Sequence, residues 1–202
     1  MKLILIRHGE TPANVAGELD TAVPGPGLTE RGMEQAAALV DRFRGVDFDV
    51  IYASTHTRAQ LTAAPLAADR ATEVLIRSGF REFSVGALEK RSDPEALSIF
   101  IETVKRWILG DTELSMAGGE SAADIVRRFD AEIAEVAATG VQTAVIVSHG
   151  GALRIWAAAR ANNIDTDFAL ANYLVNTAVV ILEGNPQQGW HCASWDLAPE
   201  HH

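Results

Sequence analysis

The chain has 202 residues, 48% of them hydrophobic and 22% charged, a globular composition with enough length for a substantial core. Its 17 basic and 27 acidic residues leave a net charge of −10, which disfavours nucleic acid and anionic membrane surfaces as partners. The single cysteine, Cys192, excludes an internal disulfide framework and a cysteine-based metal cluster. No run of about 18 apolar residues occurs, and the N-terminal apolar run breaks at Arg7, so the expectation is a soluble cytoplasmic protein without a membrane segment. The closing Glu200-His201-His202 is either native or the remnant of an affinity tag and takes no part in the reading.

Leu3-Ile4-Leu5-Ile6 reads as a short strand buried on both faces, as in a parallel sheet, and it stops at Arg7-His8-Gly9. Ligands of open α/β sheets bind at the carboxyl ends of strands, where a cation and an imidazole suit an anionic ligand. Residues 12 to 27 are dense in proline and glycine and predict a long loop with little regular structure. Thr29 caps a helix to about Phe43, with Met33, Ala36, Ala37, Val40 and Phe43 on one face. Val50 to Ala53 is a second buried strand, and it ends at Ser54-Thr55-His56-Thr57-Arg58, which puts a second cation just past a strand end. His56 reads as a solvated loop residue near a pocket mouth. A helix follows to about Asp69, with a bend expected at Pro65.

Glu73 to Ile76 is a third strand, followed by an irregular stretch, Arg77 to Arg91, that carries Arg81, Glu82, Gly86 and Glu89. Asp93-Pro94 starts a helix in which Leu97, Phe100, Ile101, Val104 and Ile108 trace one face up to Gly110. Trp107 lies off that face and could pack in the core or line a substrate entrance. Ser121 and Asp124 open a further helix in capping-box fashion, with Ile125, Phe129, Ile133 and Val136 as its stripe. Thr143 to Val147 is the clearest buried strand and runs into Ser148-His149-Gly150-Gly151 and a helix start, where backbone N–H groups and the helix dipole make an anion site. Val179 to Glu183 and Trp190 to Trp195 flank Asn185-Pro186-Gln187-Gln188-Gly189 as a closing hairpin or edge pair. The pattern is α/β, a three-layer α/β/α arrangement with a mostly parallel central sheet and a helical insertion near 93–139, in one domain spanning 1–202. Parallel strands would converge Arg7-His8, Arg58 and His149 on one edge, as a phosphate pocket.

Arg7-His8-Gly9-Glu10-Thr11 followed by Asn14 resembles the signature of the histidine phosphatase superfamily, the phosphoglycerate mutase-like proteins. The resemblance continues in order through Leu28-Thr29-Glu30-Arg31-Gly32, Ser54 with Arg58-Ala59 and Thr62-Ala63, Arg81-Glu82 with Gly86, Gly118-Gly119-Glu120-Ser121, and Val147-Ser148-His149-Gly150-Gly151. It implies the phosphoglycerate mutase-like fold and a phosphoric monoester hydrolase of the histidine acid phosphatase type, acting without metal or other cofactor on a small phosphorylated metabolite. His8 would be the nucleophile that becomes phosphohistidine. Glu82 would protonate the leaving oxygen and then activate water, with Glu89 as a competitor for that role. Arg7, Arg58 and His149 would hold the phosphoryl oxygens, with Asn14 and Gly150 as further phosphate contacts. Leu61 and Lys90 depart from the pattern, standing where many relatives carry glutamine and glycine. Phosphoglycerate mutase chemistry is the alternative, yet Lys105 and Arg106 are the only cations between Glu95 and Ser115, and the longer arginine-bearing segment of the mutases is missing. A non-catalytic phosphate-binding relative would be expected to have lost one of the residues kept here. Phe80, Phe83, Val85 and the Trp107 helix suggest an apolar wall for a compact monoester. The oligomeric state stays open, with a homodimer among the alternatives.

Overall fold

The computed structural model describes residues 1–197, so the Glu200-His201-His202 segment lies outside the described residues. Strands β1 (Lys2–Arg7), β2 (Val50–Ala53), β3 (Val74–Ile76), β4 (Thr143–Ser148), β5 (Val179–Asn185) and β6 (Gly189–Trp195) form one sheet in the order β3-β2-β4-β1-β5-β6. The first four run parallel; β5 is antiparallel to β1, and β6 to β5. Helices α1 (Pro12–Ala16), α2 (Glu30–Arg42), α3 (Thr57–Asp69), α4 (Pro94–Ile108), α5 (Ala122–Ala138), α6 (Gly150–Arg160) and α7 (Thr166–Ala171) complete the chain.

Side chains alternate across a strand, so each central strand feeds two cores. Leu3, Leu5, Tyr52, Ile146 and Leu182 face one way, against Val104 and Trp107 of α4, Phe129 of α5 and Trp156 of α6. Ile4, Ile6, Ile51, Val145 and Val147 face the other, against Leu39 of α2 and Leu66 of α3. Both faces being covered is why these strands read as unbroken apolar runs. Each such buried aliphatic side chain contributes about 1.5–3 kcal/mol. The segment read as an insertion thus shares one helical layer of the sheet with α6.

Several expectations are corrected. The proline- and glycine-rich loop contains α1: the Thr11 side chain accepts the Asn14 N–H, the Asn14 side chain accepts the Thr11 N–H, and Pro12 opens the helix. In α2 the buried stripe is Gly32, Ala36 and Leu39, running on to Phe43, while Met33 and Ala37 are exposed. In α4 it is Ala96, Thr103, Val104 and Trp107, and Ile101 is exposed. Trp107 packs edge-on to Phe83 and donates its indole N–H to the Leu114 carbonyl at 2.7 Å, which rotates α4 away from the purely aliphatic stripe. The short helix α7 has no counterpart in the sequence reading.

Candidate active site

Strand register places Arg7 beside Ser148 and Ala53 beside Val147. The His8 N–H continues the ladder to the Ser148 carbonyl at 3.0 Å, and the Ser54 N–H to that of Val147 at 3.1 Å. Arg7-His8, Ser54 and His149 therefore reach one sheet edge, and Arg58 joins them from the first turn of α3. A cavity of about 270 Å³ opens there, and Arg7, His8, Asn14, Arg58, Glu82 and Gly150 all line it. His149 is fully buried behind, its ring centroid 5.2 Å from that of His8. The structure thus brings all seven proposed site residues together.

Hydrogen-bond partners assign the two imidazoles opposite tautomers. His8 donates Nδ1–H to the Gly9 carbonyl at 2.7 Å, which leaves Nε2 a bare lone pair. His149 accepts the Arg58 Nε–H at Nδ1, 3.3 Å away, and so donates Nε2–H to Ser54 Oγ at 2.7 Å. Burial, then the charges of Arg7 and Arg58, holds His8 well below its ordinary pKa of 6.5. Burial, then Arg58, does the same to His149. His56 is not a solvated loop residue: it is fully buried, 4.4 Å from the His149 ring, and donates Nε2–H to the Thr21 carbonyl at 3.0 Å. Burial and Arg58 push its pKa down to about 4.

Burial also works against the guanidinium charges of Arg7 and Arg58, and Glu82 is the largest opposing influence on both. Arg7 donates Nη1 to the Leu174 carbonyl, while its buried Nε and the buried Arg58 Nη1 have no hydrogen-bond partner among the described residues. Buried donors left unpaired are costly, and at Arg58 the Asp20 carboxylate, 3.6 Å from Nη1, offsets part of that cost.

Glu82 sits on the N-terminus of α6, accepting the Ala152 N–H at 2.8 Å and the Gly151 N–H at 3.2 Å. The group held by those two N–H groups is therefore the protein's own Glu82 carboxyl, where the sequence reading places a ligand. Glu89 does not line the cavity; it holds the Thr21 hydroxyl at 2.6 Å and the Thr21 and Ala22 N–H groups. Glu120 fixes the Glu82 loop, accepting from Arg81 at 2.7 Å, Arg128 at 2.9 Å and the Ser84 N–H at 3.0 Å. Asn14 lies on α1, and its Oδ1 accepts from the Thr11 N–H and from Asn176 Nδ2, leaving its own Nδ2 as the donor for the cavity. Of the apolar wall, Phe83 lines the cavity with Phe100 and Val104, whereas Phe80, Val85 and Trp107 lie in the core behind it.

Sequence reasoning missed Tyr173, Leu174 and Arg154, which line the cavity, and Asn176, whose Nδ2 also bonds the His8 carbonyl at 3.1 Å. The usable signal was topological. An antiparallel β5 starts at the edge where β1 and β4 end, so the loop before it enters the site.

Fold and site together define an α/β protein with an arginine- and histidine-lined anion pocket at the carboxyl edge of its parallel strands. The chain belongs to the histidine phosphatase superfamily (branch 1), whose family model it matches over residues 3–197. A PE-PGRS family protein of Mycobacterium tuberculosis is 32% identical over 96% of this chain, which spans 36% of that protein's length. The adenosylcobalamin/alpha-ribazole phosphatase of Escherichia coli is 35% identical over 77% of this chain and 76% of its own. A mycobacterial glucosyl-3-phosphoglycerate phosphatase complexed with VO3 shares the fold, with a TM-score of 0.83 at 23% identity over 98% of this chain and 99% of the other. The family match and the Escherichia coli relative support a phosphatase of this family.

Proposed function

We propose that this chain is a metal-independent phosphomonoester hydrolase that works through a phosphohistidine on His8 and acts on a small phosphorylated metabolite. The observation that carries this is the bare Nε2 of His8, fixed by the Gly9 carbonyl in a cavity it shares with Arg7, Arg58 and Glu82. A neutral nitrogen of locked tautomer is a competent nucleophile without a base to deprotonate it. Nε2 attacks phosphorus in line, the ester P–O bond breaks, and Glu82 gives its proton to the leaving oxygen. Glu82, now a carboxylate, takes a proton from water; the water attacks phosphorus, the P–N bond breaks, and inorganic phosphate leaves with His8 regenerated. Arg7, Arg58, the amide of Asn14 and the backbone at Gly150 carry the equatorial oxygens, where charge sits in the transition state. His149 backs His8 and aligns Arg58 through its Nδ1. Lys105 and Arg106 are exposed on α4 and do not line the cavity, so α4 supplies no cation there for mutase chemistry.

The test is hydrolysis of p-nitrophenyl phosphate in excess chelator. His8→Ala is expected to abolish turnover. Glu82→Gln is expected to lower kcat by roughly 10²–10⁴-fold and to accumulate acid-labile phosphohistidine on brief exposure to substrate. Full activity in His8→Ala would refute the mechanism.

A further inference from the structure

A chain of alternating charge runs from the cavity to solvent. Arg58 lies 3.6 Å from the Asp20 carboxylate and donates Nη2 to the Asp20 carbonyl at 3.1 Å. The other Asp20 oxygen takes the Lys90 ammonium, which also reaches Glu18 at 3.3 Å. Asp20 and Arg58 side chains are each 3% exposed, against 57% for Lys90. Glu18, Asp20 and Arg58 line the cavity, whereas Lys90 stands outside it.

Two further facts bear on Lys90. Its backbone sits at φ +63°, the left-handed region where a residue with a Cβ is disfavoured and glycine is not. The loop it touches is also already fastened without its side chain. The Lys90 N–H bonds the Leu19 carbonyl at 2.7 Å, the Leu19 N–H bonds the Arg91 carbonyl at 2.9 Å, and Glu89 holds Thr21 and Ala22. A lysine at a strained position, where backbone bonds already do the fastening, points to its charge as the reason for it.

We infer that Lys90 is a positioning residue for phosphate binding: its single positive charge partly offsets the two carboxylates of the cavity rim, Asp20 and Glu18, and so leaves more of the charge of Arg58 to a phosphoryl group. The inference rests on the proposed phosphoryl site. Without Lys90, Asp20 would have Arg58 as its sole close cation among the described residues, and Glu18 would face an incoming dianion uncompensated. The Lys90–Asp20 pair, with its carboxylate buried, is screened less than the half-exposed Lys90–Glu18 pair.

The experiment is calorimetric titration with inorganic phosphate beside steady-state kinetics on p-nitrophenyl phosphate. Lys90→Met is expected to weaken phosphate binding and raise KM by roughly tenfold at low ionic strength, with kcat moved less and the defect shrinking as salt is added. Lys90→Arg should restore affinity. Lys90→Gly should share the affinity defect while melting no lower than Lys90→Met, because it releases the strained backbone. Asp20→Asn placed in the Lys90→Met background should recover most of the lost affinity, since the charge that Lys90 offsets is then absent. Wild-type phosphate affinity in Lys90→Met overturns the inference. So does a loss that Asp20→Asn leaves untouched while Tm falls, which would mark a purely mechanical strap. A wild-type protein that binds phosphate without turning over ester would sink the hydrolase reading and leave this one standing. Absence of phosphate binding by the wild type would sink both.

Discussion

His8 and His149 face each other across one sheet edge, yet a carbonyl holds the first and a guanidinium and a hydroxyl hold the second. A carbonyl can only accept and a guanidinium can only donate, so the two rings carry their protons on different nitrogens. Nitrogen-15 NMR of histidine-labelled, ligand-free protein should show His8 protonated on Nδ1 and His149 on Nε2. Both should stay neutral at pH 6, because burial and the adjacent arginines lower both pKa values. A His8 ring that titrates near 6.5 would contradict the buried, cation-flanked site. At this scale the sequence was most informative where chemistry sits at strand ends, as with Arg7-His8 and His149. It misled at His56, whose burial depends on the Thr21 carbonyl, far away along the chain.

The start of α2 and the turn after β1 touch through their backbones. A Cβ on Gly32 would lie 2.1 Å from the Glu10 carbonyl oxygen, and one on Gly9 would lie 2.7 Å from that of Gly32. Two segments well apart in sequence need glycine for one shared contact, which Thr29 fastens by donating its N–H to the Glu10 carbonyl at 2.9 Å. Gly32→Ala is therefore expected to destabilise by about 1–3 kcal/mol, read as a lower Tm, and to reduce kcat/KM by shifting the turn that carries His8. An unchanged Tm would mean that the contact relaxes freely. The elements themselves were legible wherever caps and apolar runs agreed, as in α5 with its Ser121–Asp124 box. The buried faces of α2 and α4 were not, because a glycine and a tryptophan, rather than the aliphatic residues, decide which side meets the sheet.

For the molecule as a whole, burying neutral histidines couples folding to pH. In the unfolded chain they bind protons below about 6.5, while in the native protein His56 holds off until about 4 and His8 and His149 are also well below their ordinary value. Below 6.5 the unfolded state therefore binds more protons, so the stabilisation present above that pH is lost as pH falls. The unfolding midpoint in urea should drop steadily between pH 6.5 and 4. A flat profile over that range would show that these rings are solvated. Among the described residues no helix is long and apolar enough to cross a membrane.

Strands, most helix starts and the identities of the chemistry-bearing side chains are legible along the chain, because apolar runs, caps and the ordered motifs are local properties. How those side chains meet is set by contacts between distant parts of the chain. Strand register aligned Arg7 with Ser148, the reversed direction of β5 brought Asn176 to His8, and α6 received Glu82 at its N-terminus. It also set Lys90 against Asp20 and Glu18. Each of these joins residues remote along the chain through a hydrogen bond or charge contact, which no local pattern encodes.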